Sequence, residues 1–269
     1  MAVKTDLMKG KRGLVMGVAN DKSIAWGMAK TLADHGAELA FTYQGEAFGK
    51  RVKPLAESVG SSIVIDCDVS QEEDLDNAFA ALKQEWDSLD FIIHAVAFSD
   101  KEELKGRYVD TSLGNFLHSM HISCFSFTSV MRRAADMMKE GGSAVTLSYY
   151  GAEKAMPNYN VMGVAKAALE TSVKYMARDL GPDNIRVNAI SAGPMRTLAG
   201  SAIGGARTTF KYNIATAPLQ RSVELEEIGG AGLYLLSDLS GAVTGEIHYV
   251  DCGFNAVGMP MPEKLKEFG

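Results

Sequence analysis

Seven short apolar runs alternate with amphipathic stretches along this chain, and this alternation limits the folds that it can adopt. The intervening stretches carry apolar residues at helical spacing, as at Ile24, Met28 and Leu32. Runs that read as near-continuous Val, Ile, Leu and Ala are typical of parallel strands buried on both faces. The pattern predicts an α/β fold, doubly wound, with a seven-stranded parallel sheet and helices on both faces. The predicted strands are residues 13–16, 38–43, 62–65, 91–95, 144–147, 185–190 and 246–250.

The 269 residues contain no long Pro- or Ser-rich linker, so we expect a single domain over residues 1–269. A formal charge of −6 disfavours nucleic acid as a partner, and no apolar run approaches the ~20 residues that cross a bilayer. We therefore expect a soluble, cytoplasmic protein that is not bound to a membrane. The cysteines are three, far apart and without a nearby set of His ligands, so no metal site is expected. Residues 197–212 interrupt the alternation and are predicted to form a flap.

Sheets of this kind bind ligands outside the carboxyl ends of their strands, and the turn after the first strand is the first candidate. Gly17 permits a tight turn there, and free N–H groups at the start of the following helix attract phosphate. Gly27 is expected to let that helix approach the sheet. The loop suits a dinucleotide pyrophosphate, but it lacks the G-x-G-x-x-G spacing, so an ordinary βα turn is the alternative.

Polar residues after the second and third strands favour one form of dinucleotide. Gln44 stands where many dinucleotide folds place an acid for the adenosine ribose, and its amide can bond a ribose hydroxyl. No Arg or Lys follows before Lys50 to accept a 2′-phosphate, which favours NADH over NADPH. Asp68 and Val69 are candidates for holding the adenine edge; the alternative for Asp68 is a cap of the next helix.

Tyr159 and Lys166 are seven positions apart in what we interpret as the longest helix. Seven steps of 100° bring both side chains to one helix face, about 10.5 Å apart along the axis. A phenol and an ammonium aimed at one cleft stabilise a developing oxyanion; the alternative is a packing tyrosine and a surface lysine. Tyr149 ends the fifth strand, where its phenol is placed either to meet a substrate carbonyl or to pack. His94 is interpreted as structural.

Together these segments resemble the short-chain dehydrogenase/reductase superfamily and, within it, the bacterial NADH-dependent enoyl-acyl-carrier-protein reductases. The resemblance spans nearly the whole chain and includes residues 17–27, 38–44, 159–166, 186–194 and 237–240. The Tyr-x6-Lys spacing is the discriminating feature. The wider superfamily uses Tyr-x3-Lys, which would place its tyrosine at Met162, and its active-site serine would fall at Tyr149.

The resemblance implies a Rossmann-type fold, NADH/NAD as cofactor and a set of site residues. It assigns to catalysis Tyr159, Lys166 and Tyr149. It assigns to the cofactor Gly17, Ser23, Ile24, Gln44, Asp68, Val69, Val96, Lys166, Met195, Thr197 and Ala199. It assigns to the substrate Ser99, Tyr149, Tyr159 and Met162. Departures from the family pattern are Ala97, which narrows the pocket wall in place of Gly, and a small Gly-Gly-Ala stretch at residues 204–206 in the flap.

The implied activity is reduction of the trans-2 double bond of enoyl-acyl-carrier-protein to the saturated acyl chain, in the elongation cycle of type II fatty acid biosynthesis. The implied partners are the acidic acyl-carrier-protein and other copies of the chain in a homotetramer, with contacts expected on helices over residues 115–139 and 159–180. Candidates for a basic docking patch are Lys101, Lys105, Arg107, Arg207 and Lys211, and an ordinary solvated surface is the alternative for these residues. The alternatives are a 3-oxoacyl-thioester ketoreductase, which Met162 disfavours, and a non-catalytic nicotinamide-binding regulator, which Tyr159 and Lys166 disfavour.

Overall fold

The apolar runs form parallel strands of one sheet in the computed structural model, which describes residues 5–198 and 205–265. Within these residues the sheet has seven strands in the order β3-β2-β1-β4-β5-β6-β7, and every neighbouring pair is parallel. The strands are β1 (Arg12–Met16), β2 (Glu38–Tyr43), β3 (Ile63–Asp66), β4 (Phe91–His94), β5 (Gly142–Ser148), β6 (Ile185–Ala192) and β7 (Ile247–Val250).

Helices connect the strands and cover both faces of the sheet. They are α1 (Ile24–Asp34), α2 (Gly45–Ser58), α3 (Glu72–Glu85), α4 (Leu113–Met120), α5 (Ser126–Ala135), α6 (Val161–Leu180), α7 (Ala206–Thr216), α8 (Leu225–Leu236) and α9 (Pro262–Leu265). A π-helical turn over His121–Phe125 joins α4 to α5. The predicted helix over residues 115–139 is thus a segment with a wider turn in its middle. None of the helices described is long and apolar enough to cross a membrane.

Two apolar layers, one on each face, confirm the doubly wound arrangement. One layer packs Phe127 of α5 and Leu169 of α6 against the sheet. The other packs Trp26 of α1, Phe41 of β2 and Ile228 of α8. Because both faces of the central strands are covered, their side chains are apolar at successive positions, which is the pattern seen in the sequence.

The order of the strands determines where a ligand crevice opens. The chain proceeds from β1 outward through β2 to β3 and then returns to β4 on the other side of β1. At such a switch point the connections leave in opposite directions, and a crevice forms at the carboxyl ends of the strands. The register places Met16 beside His94, and the N–H of Ala95 donates to the carbonyl of Met16 at 2.9 Å. The loops beginning at Gly17 and Ala95 therefore border this crevice.

His94 lies at the end of β4 but is turned into the protein, as expected of a structural histidine. Its side chain is fully buried. Nδ1 pairs with the hydroxyl of Thr146 at 3.1 Å, and Nε2 pairs with the hydroxyl of Ser126 at 2.9 Å. Both ring nitrogens are satisfied internally, so the imidazole ties β4 to β5 and to α5.

The predicted flap is described in part. Its second half forms α7 (Ala206–Thr216), which begins after Gly205. Ala199 and residues 200–204 of the prediction lie outside the described residues. After β7, Phe254 in a short turn (Phe254–Ala256) is buried.

Candidate functional site

Gly17 shapes the turn after β1 and is the first residue of the site. Its φ is +98°, and a Cβ at this position would lie 2.2 Å from the carbonyl oxygen of Ala95. A side chain would therefore collide with the backbone that follows β4. The close approach keeps the mouth of the crevice narrow and lined by backbone, as a pyrophosphate group requires.

Ser23 organises the loop between β1 and α1. Its Oγ accepts hydrogen bonds from the N–H groups of Ala19 at 2.9 Å and Asn20 at 3.0 Å. It precedes Ile24, the first residue of α1, yet its hydroxyl is engaged by the loop and does not cap the helix. The first N–H groups of α1 are thus presented to an anion at the positive end of the helix dipole.

Gly27 has a different role from the one expected. A Cβ there would lie 3.0 Å from the carbonyl oxygen of Leu225, so this glycine lets α1 pack closely on α8. The prediction that it brings the helix close to the sheet is wrong, because the neighbour at Gly27 is another helix.

Gln44 and Asp68 form one polar unit at the ends of β2 and β3. The amide Nε2 of Gln44 donates to Oδ2 of Asp68 at 2.8 Å, and the N–H of Ser70 donates to Oδ1 at 2.9 Å. Burial raises the pKa of the Asp68 carboxyl, but the bonds from Ser70 and Gln44 outweigh it and leave the pKa below its usual value. An ionised acceptor beside an amide fits the hydroxyl groups of adenosine.

The alternative role for Asp68, a cap of the next helix, is not what the structure shows. Helix α3 begins at Glu72 after Gln71, and Asp68 instead accepts the N–H of Ser70 within the preceding turn. Its neighbour Val69 is buried. The carboxylate of Asp68 is therefore not used as a cap of α3.

The loop after β4 is fastened to α4. The hydroxyl of Ser99 lies 3.3 Å from Oδ1 and 3.2 Å from Nδ2 of Asn115, within hydrogen-bonding distance of both atoms. The N–H of Phe98 donates to the hydroxyl of Ser123 at 3.0 Å. Val96 is partly buried against the apolar layer. Val96 and Ser99 thus lie in one braced loop, while Ala97 between them is exposed.

The segment after β6 begins at the carboxyl end of that strand. The N–H of Thr197 donates to the carbonyl of Met195 at 2.8 Å. Met195 lines a cavity together with Val223 and Leu225, next to the start of α8. Ala199, the last cofactor residue in the prediction, lies outside the described residues.

Tyr159 does not belong to the helix that carries Lys166. Helix α6 begins at Val161, and both neighbours of Tyr159 have left-handed backbone, with φ of 58° at Asn158 and 40° at Asn160. The expectation of two side chains on one helix face is therefore wrong. Asparagine tolerates this conformation better than most residues, and the two asparagines turn the chain before the helix starts.

Tyr149 and Tyr159 nevertheless meet at the end of β5. Their rings are in edge-to-face contact, with centroids 5.0 Å apart and planes at 75°. Tyr159 is 7% exposed. Burial raises the pKa of Tyr149 to about 12, and burial, with the neighbouring Tyr149 and Glu170, raises that of Tyr159 further. Both phenols are consequently neutral hydrogen-bond donors at physiological pH.

Lys166 reaches the same end of β5 from the first turns of α6. Its Nζ donates to the carbonyl of Leu147 at 2.8 Å, two residues before Tyr149. The side chain is buried, and this desolvation lowers its pKa to about 8. The ammonium form still predominates at neutral pH, so a positive charge is held inside the protein next to the strand that carries Tyr149.

Met162 packs in an apolar cluster with Tyr159, and Leu104 and Val161 complete it. The hydroxyl of Ser123 points at the sulfur of Met162 at 3.7 Å. The methionine thus fills the position where the wider superfamily has its tyrosine, and it contributes apolar surface near the phenol of Tyr159.

Three residues at this site were missed by the sequence analysis. Ser148 and Glu170 are both buried and are joined by a hydrogen bond of 2.5 Å. Gly151 lies under the ring of Tyr159, where a Cβ would be 2.5 Å from the ring carbon Cδ1. The signal for Glu170 was its position four residues after Lys166, on the same helix face. For Gly151 the sequence offered no signal.

The described residues hold no group of three or more His, Cys, Asp or Glu side chains that is arranged to bind a metal ion.

Comparisons with known proteins agree over almost the whole chain. The sequence profile of a family described as enoyl-(acyl carrier protein) reductase matches residues 17–255. An NADH-dependent enoyl-acyl-carrier-protein reductase of Rhizobium meliloti is 60% identical over 260 residues, covering 97% of each chain. The corresponding protein of Bacillus cereus is 47% identical over 255 residues, covering 94% of this chain and 100% of its own.

Solved structures are similar to the same extent. The enzyme of Candidatus Liberibacter asiaticus has a TM-score of 0.94 at 56% identity and covers 96% of this chain and 100% of its own. The reductase of Anaplasma phagocytophilum, solved in complex with NAD, has a TM-score of 0.91 at 59% identity, with 96% of each chain covered. A family profile over most of the sequence, and relatives this similar over nearly their full lengths, show that the chain belongs to the enoyl-acyl-carrier-protein reductase family.

Proposed function

We propose that this chain is an NADH-dependent enoyl-acyl-carrier-protein reductase, which reduces the trans-2 double bond of enoyl thioesters in the elongation cycle of type II fatty acid biosynthesis. The observation that carries the proposal is the meeting of Tyr149 and Tyr159 at the carboxyl end of β5, with the buried ammonium of Lys166 bonded to the same strand. These groups suit a reaction in which negative charge develops on a thioester oxygen.

The crevice fits a dinucleotide along its length. The turn at Gly17 and the uncapped start of α1 at Ser23 and Ile24 are suited to the pyrophosphate. Gln44, with Asp68 and Val69, is suited to the adenosine, and the Gln44–Asp68 pair places a carboxylate close to where a 2′-phosphate would bring further negative charge. This arrangement supports NADH as the preferred form. Val96, Met195 and Thr197 border the nicotinamide half; Ala199, predicted to join them, lies outside the described residues.

NADH, when bound, supplies a hydride to the β-carbon of the enoyl thioester. The phenol of Tyr159, neutral because of its burial, donates a hydrogen bond to the thioester oxygen as that oxygen becomes negative. Lys166 adds positive potential and bonds the hydroxyls of the nicotinamide ribose. Tyr149 positions the substrate or passes a proton toward the α-carbon. Ser99 and Met162 line the acyl side, and the described parts of the predicted flap, Thr197 and α7, exclude water from the reacting atoms.

The proposed partners are the acyl-carrier-protein and further copies of this chain. Lys101, Arg107, Arg207 and Lys211 are exposed, as a surface for an acidic carrier requires, whereas Lys105 pairs with Glu102 at 2.8 Å. Exposed apolar side chains on the two long helical segments support a homotetramer: Leu113, Leu117, Phe125 and Tyr175. We propose that the enzyme acts in the cytoplasm. Sedimentation as a monomer at working concentration would contradict the tetramer.

One assay tests the activity against both alternatives. The absorbance of NADH is followed with crotonyl and longer 2-enoyl thioesters, and in parallel with a 3-oxoacyl thioester. We expect oxidation of NADH with the enoyl substrates and a much slower rate with the oxo substrate. A preference for the oxo substrate would identify a ketoreductase. Binding of NADH without turnover of either substrate would identify a nicotinamide-binding regulator.

A further inference from the structure

We propose that Glu170 is a positioning residue of the reducing site, which with Ser148 fixes the end of β5 and places a negative charge one helical turn from Lys166. This inference rests on the proposed function. It concerns a buried acidic residue to which neither hydride transfer nor cofactor binding has so far given a role.

Two side chains of α6 form hydrogen bonds with consecutive residues of β5. The hydroxyl of Ser148 donates to Oε1 of Glu170 at 2.5 Å, and Nζ of Lys166 donates to the carbonyl of Leu147 at 2.8 Å. Lys166 and Glu170 are four residues apart, so they lie on the same face of the helix. Tyr149 is the next residue after Leu147 and Ser148. The direction in which its phenol leaves the strand is therefore set by both helix residues.

The cost of burying a carboxylate indicates that its charge has a use. Glu170 is 9% exposed and Ser148 is 5% exposed. A glutamine would accept the hydrogen bond of Ser148 without the desolvation penalty that an ionised group carries. Fastening β5 alone does not require a charge, whereas a buried ammonium on the same helix face does benefit from one.

Charged and titratable groups lie near Glu170. Burial raises the pKa of Glu170 above its usual value and Glu153 adds to this rise, while the bond from Ser148 and the charges of Lys174 and Lys166 oppose it. Tyr159 and Tyr249 respond to its charge in turn. Tyr249 of β7 donates a hydrogen bond to Glu153, which holds that second carboxylate beside the cluster.

The benefit to Lys166 has a definite sign. Burial lowers the pKa of this ammonium, while the neighbouring Cys124 and Glu170 raise it. Removal of the carboxylate charge takes away one of the two opposing influences, so the ammonium then loses its proton at a lower pH. A variant without the charge should accordingly lose activity earlier as the pH rises.

The test is Glu170→Gln, which keeps the acceptor for Ser148 and removes the charge. The kcat/KM for crotonyl thioester and the Kd of NADH, read from its fluorescence, are measured from about pH 6 to about pH 10. We expect the alkaline limb of both profiles to move down by about one pH unit. If the alkaline limb of the Glu170→Gln profile coincides with that of the parent chain, Glu170 does not act through its charge.

Two further variants separate charge from fastening. Ser148→Ala removes the hydrogen bond and keeps the carboxylate; we expect kcat to fall about tenfold, with the alkaline limb unmoved. An unchanged kcat overturns the fastening role, and this holds even where Glu170→Gln does not fold. Asp179→Asn is the matched control, because it removes an exposed carboxylate from the same helix and should leave both profiles unchanged.

The parent chain distinguishes failure of this inference from failure of the proposed function. A parent that does not oxidise NADH with any enoyl thioester contradicts the function itself. A parent that turns over, together with variants that follow its pH profile and its kcat, contradicts only the role of Glu170.

Discussion

The two ends of the crevice are built in contrasting ways. At the end proposed for adenosine, Gln44 and Asp68 bond to each other and to nearby backbone in positions open to solvent. At the end proposed for the reaction, Tyr159 and Lys166 are both less than one-tenth exposed, the ring of Tyr149 packs against that of Tyr159, and the buried Glu170 accepts a hydrogen bond from Ser148. Exposed hydrogen bonds exchange readily with water and each contributes little, whereas buried polar groups leave an unsatisfied partner when one is removed.

Because of this difference, the residues proposed for recognition and those proposed for chemistry should tolerate substitution unequally. In the proposed site, recognition of adenosine would be shared among several weak contacts, so the loss of one should weaken binding without ending it. The reacting end is a connected set in which β5, the turn before α6 and α6 itself fix one another. Substitutions there should reduce turnover far more than they reduce affinity.

Lys166→Ala should have the largest effect on activity, and it is the strongest test of the difference between the two ends of the crevice. It removes the buried charge, the bond to Leu147 and the proposed contact with the nicotinamide ribose, so we expect kcat/KM to fall by about a thousandfold and NADH to bind more weakly. Steady-state kinetics and NADH fluorescence measure the two quantities. Arg178→Ala, an exposed cation on the same helix, is the control. Unchanged NADH affinity and rate would remove Lys166 from the site.

Tyr159→Phe tests whether one phenol carries the reaction. The change keeps the edge contact with Tyr149 and deletes only the hydroxyl, so we expect kcat to fall about a hundredfold while the Kd of NADH stays the same. Tyr149→Phe should cost less. If the Tyr149 variant proved the slower of the two, the roles of the two phenols would be exchanged.

Gly151→Ala tests the packing beneath Tyr159 without touching a polar group. The new methyl would lie 2.5 Å from the ring carbon Cδ1, so the ring must shift, and we expect kcat to fall about tenfold. Gly181→Ala is the matched control, because no heavy atom lies within 4 Å of the added Cβ. Equal kinetics for the two variants would show that the position of the Tyr159 ring is not critical.

Gln44→Ala should have the smallest effect, and it tests whether the two ends of the crevice act independently. Loss of one exposed hydrogen bond is worth about 1 kcal/mol, so the Kd of NADH should rise about fivefold and kcat should be unchanged. Titration by fluorescence and saturation kinetics measure both. A fall in kcat comparable with that of Tyr159→Phe would mean that the two ends of the crevice are coupled.

The strands were predictable because burial on both faces imposes a local pattern. Each observed strand overlaps its predicted run, with ends that differ by no more than two residues, as at β5, which begins at Gly142 where residue 144 was predicted. The positions after the strands followed from topology alone, since the carboxyl ends of parallel strands share one edge. Gln44 and Asp68 were thus found one by one, although their mutual bond depends on the pairing of β2 with β3.

The reacting end was less predictable because its geometry is not local. The helix appeared to include Tyr159 because apolar spacing continues through the turn, and the left-handed backbone at Asn158 and Asn160 is visible only in the structure. Glu170 reads as a solvent-facing residue of an amphipathic helix. Its burial results from the packing of α6 on β5, which brings Ser148 to it from 22 positions away.

The imidazole of His94 gives the whole molecule a sensitivity to acid. Burial, and to a lesser degree the charge of Lys166, lowers the pKa of this ring from 6.5 to about 3 in the folded chain. Between those two pH values the His94 ring binds a proton in the unfolded chain but not in the folded chain. The free energy of unfolding therefore declines as the pH falls through that interval. The histidine that joins the centre of the sheet is thus also a place where acidification weakens it.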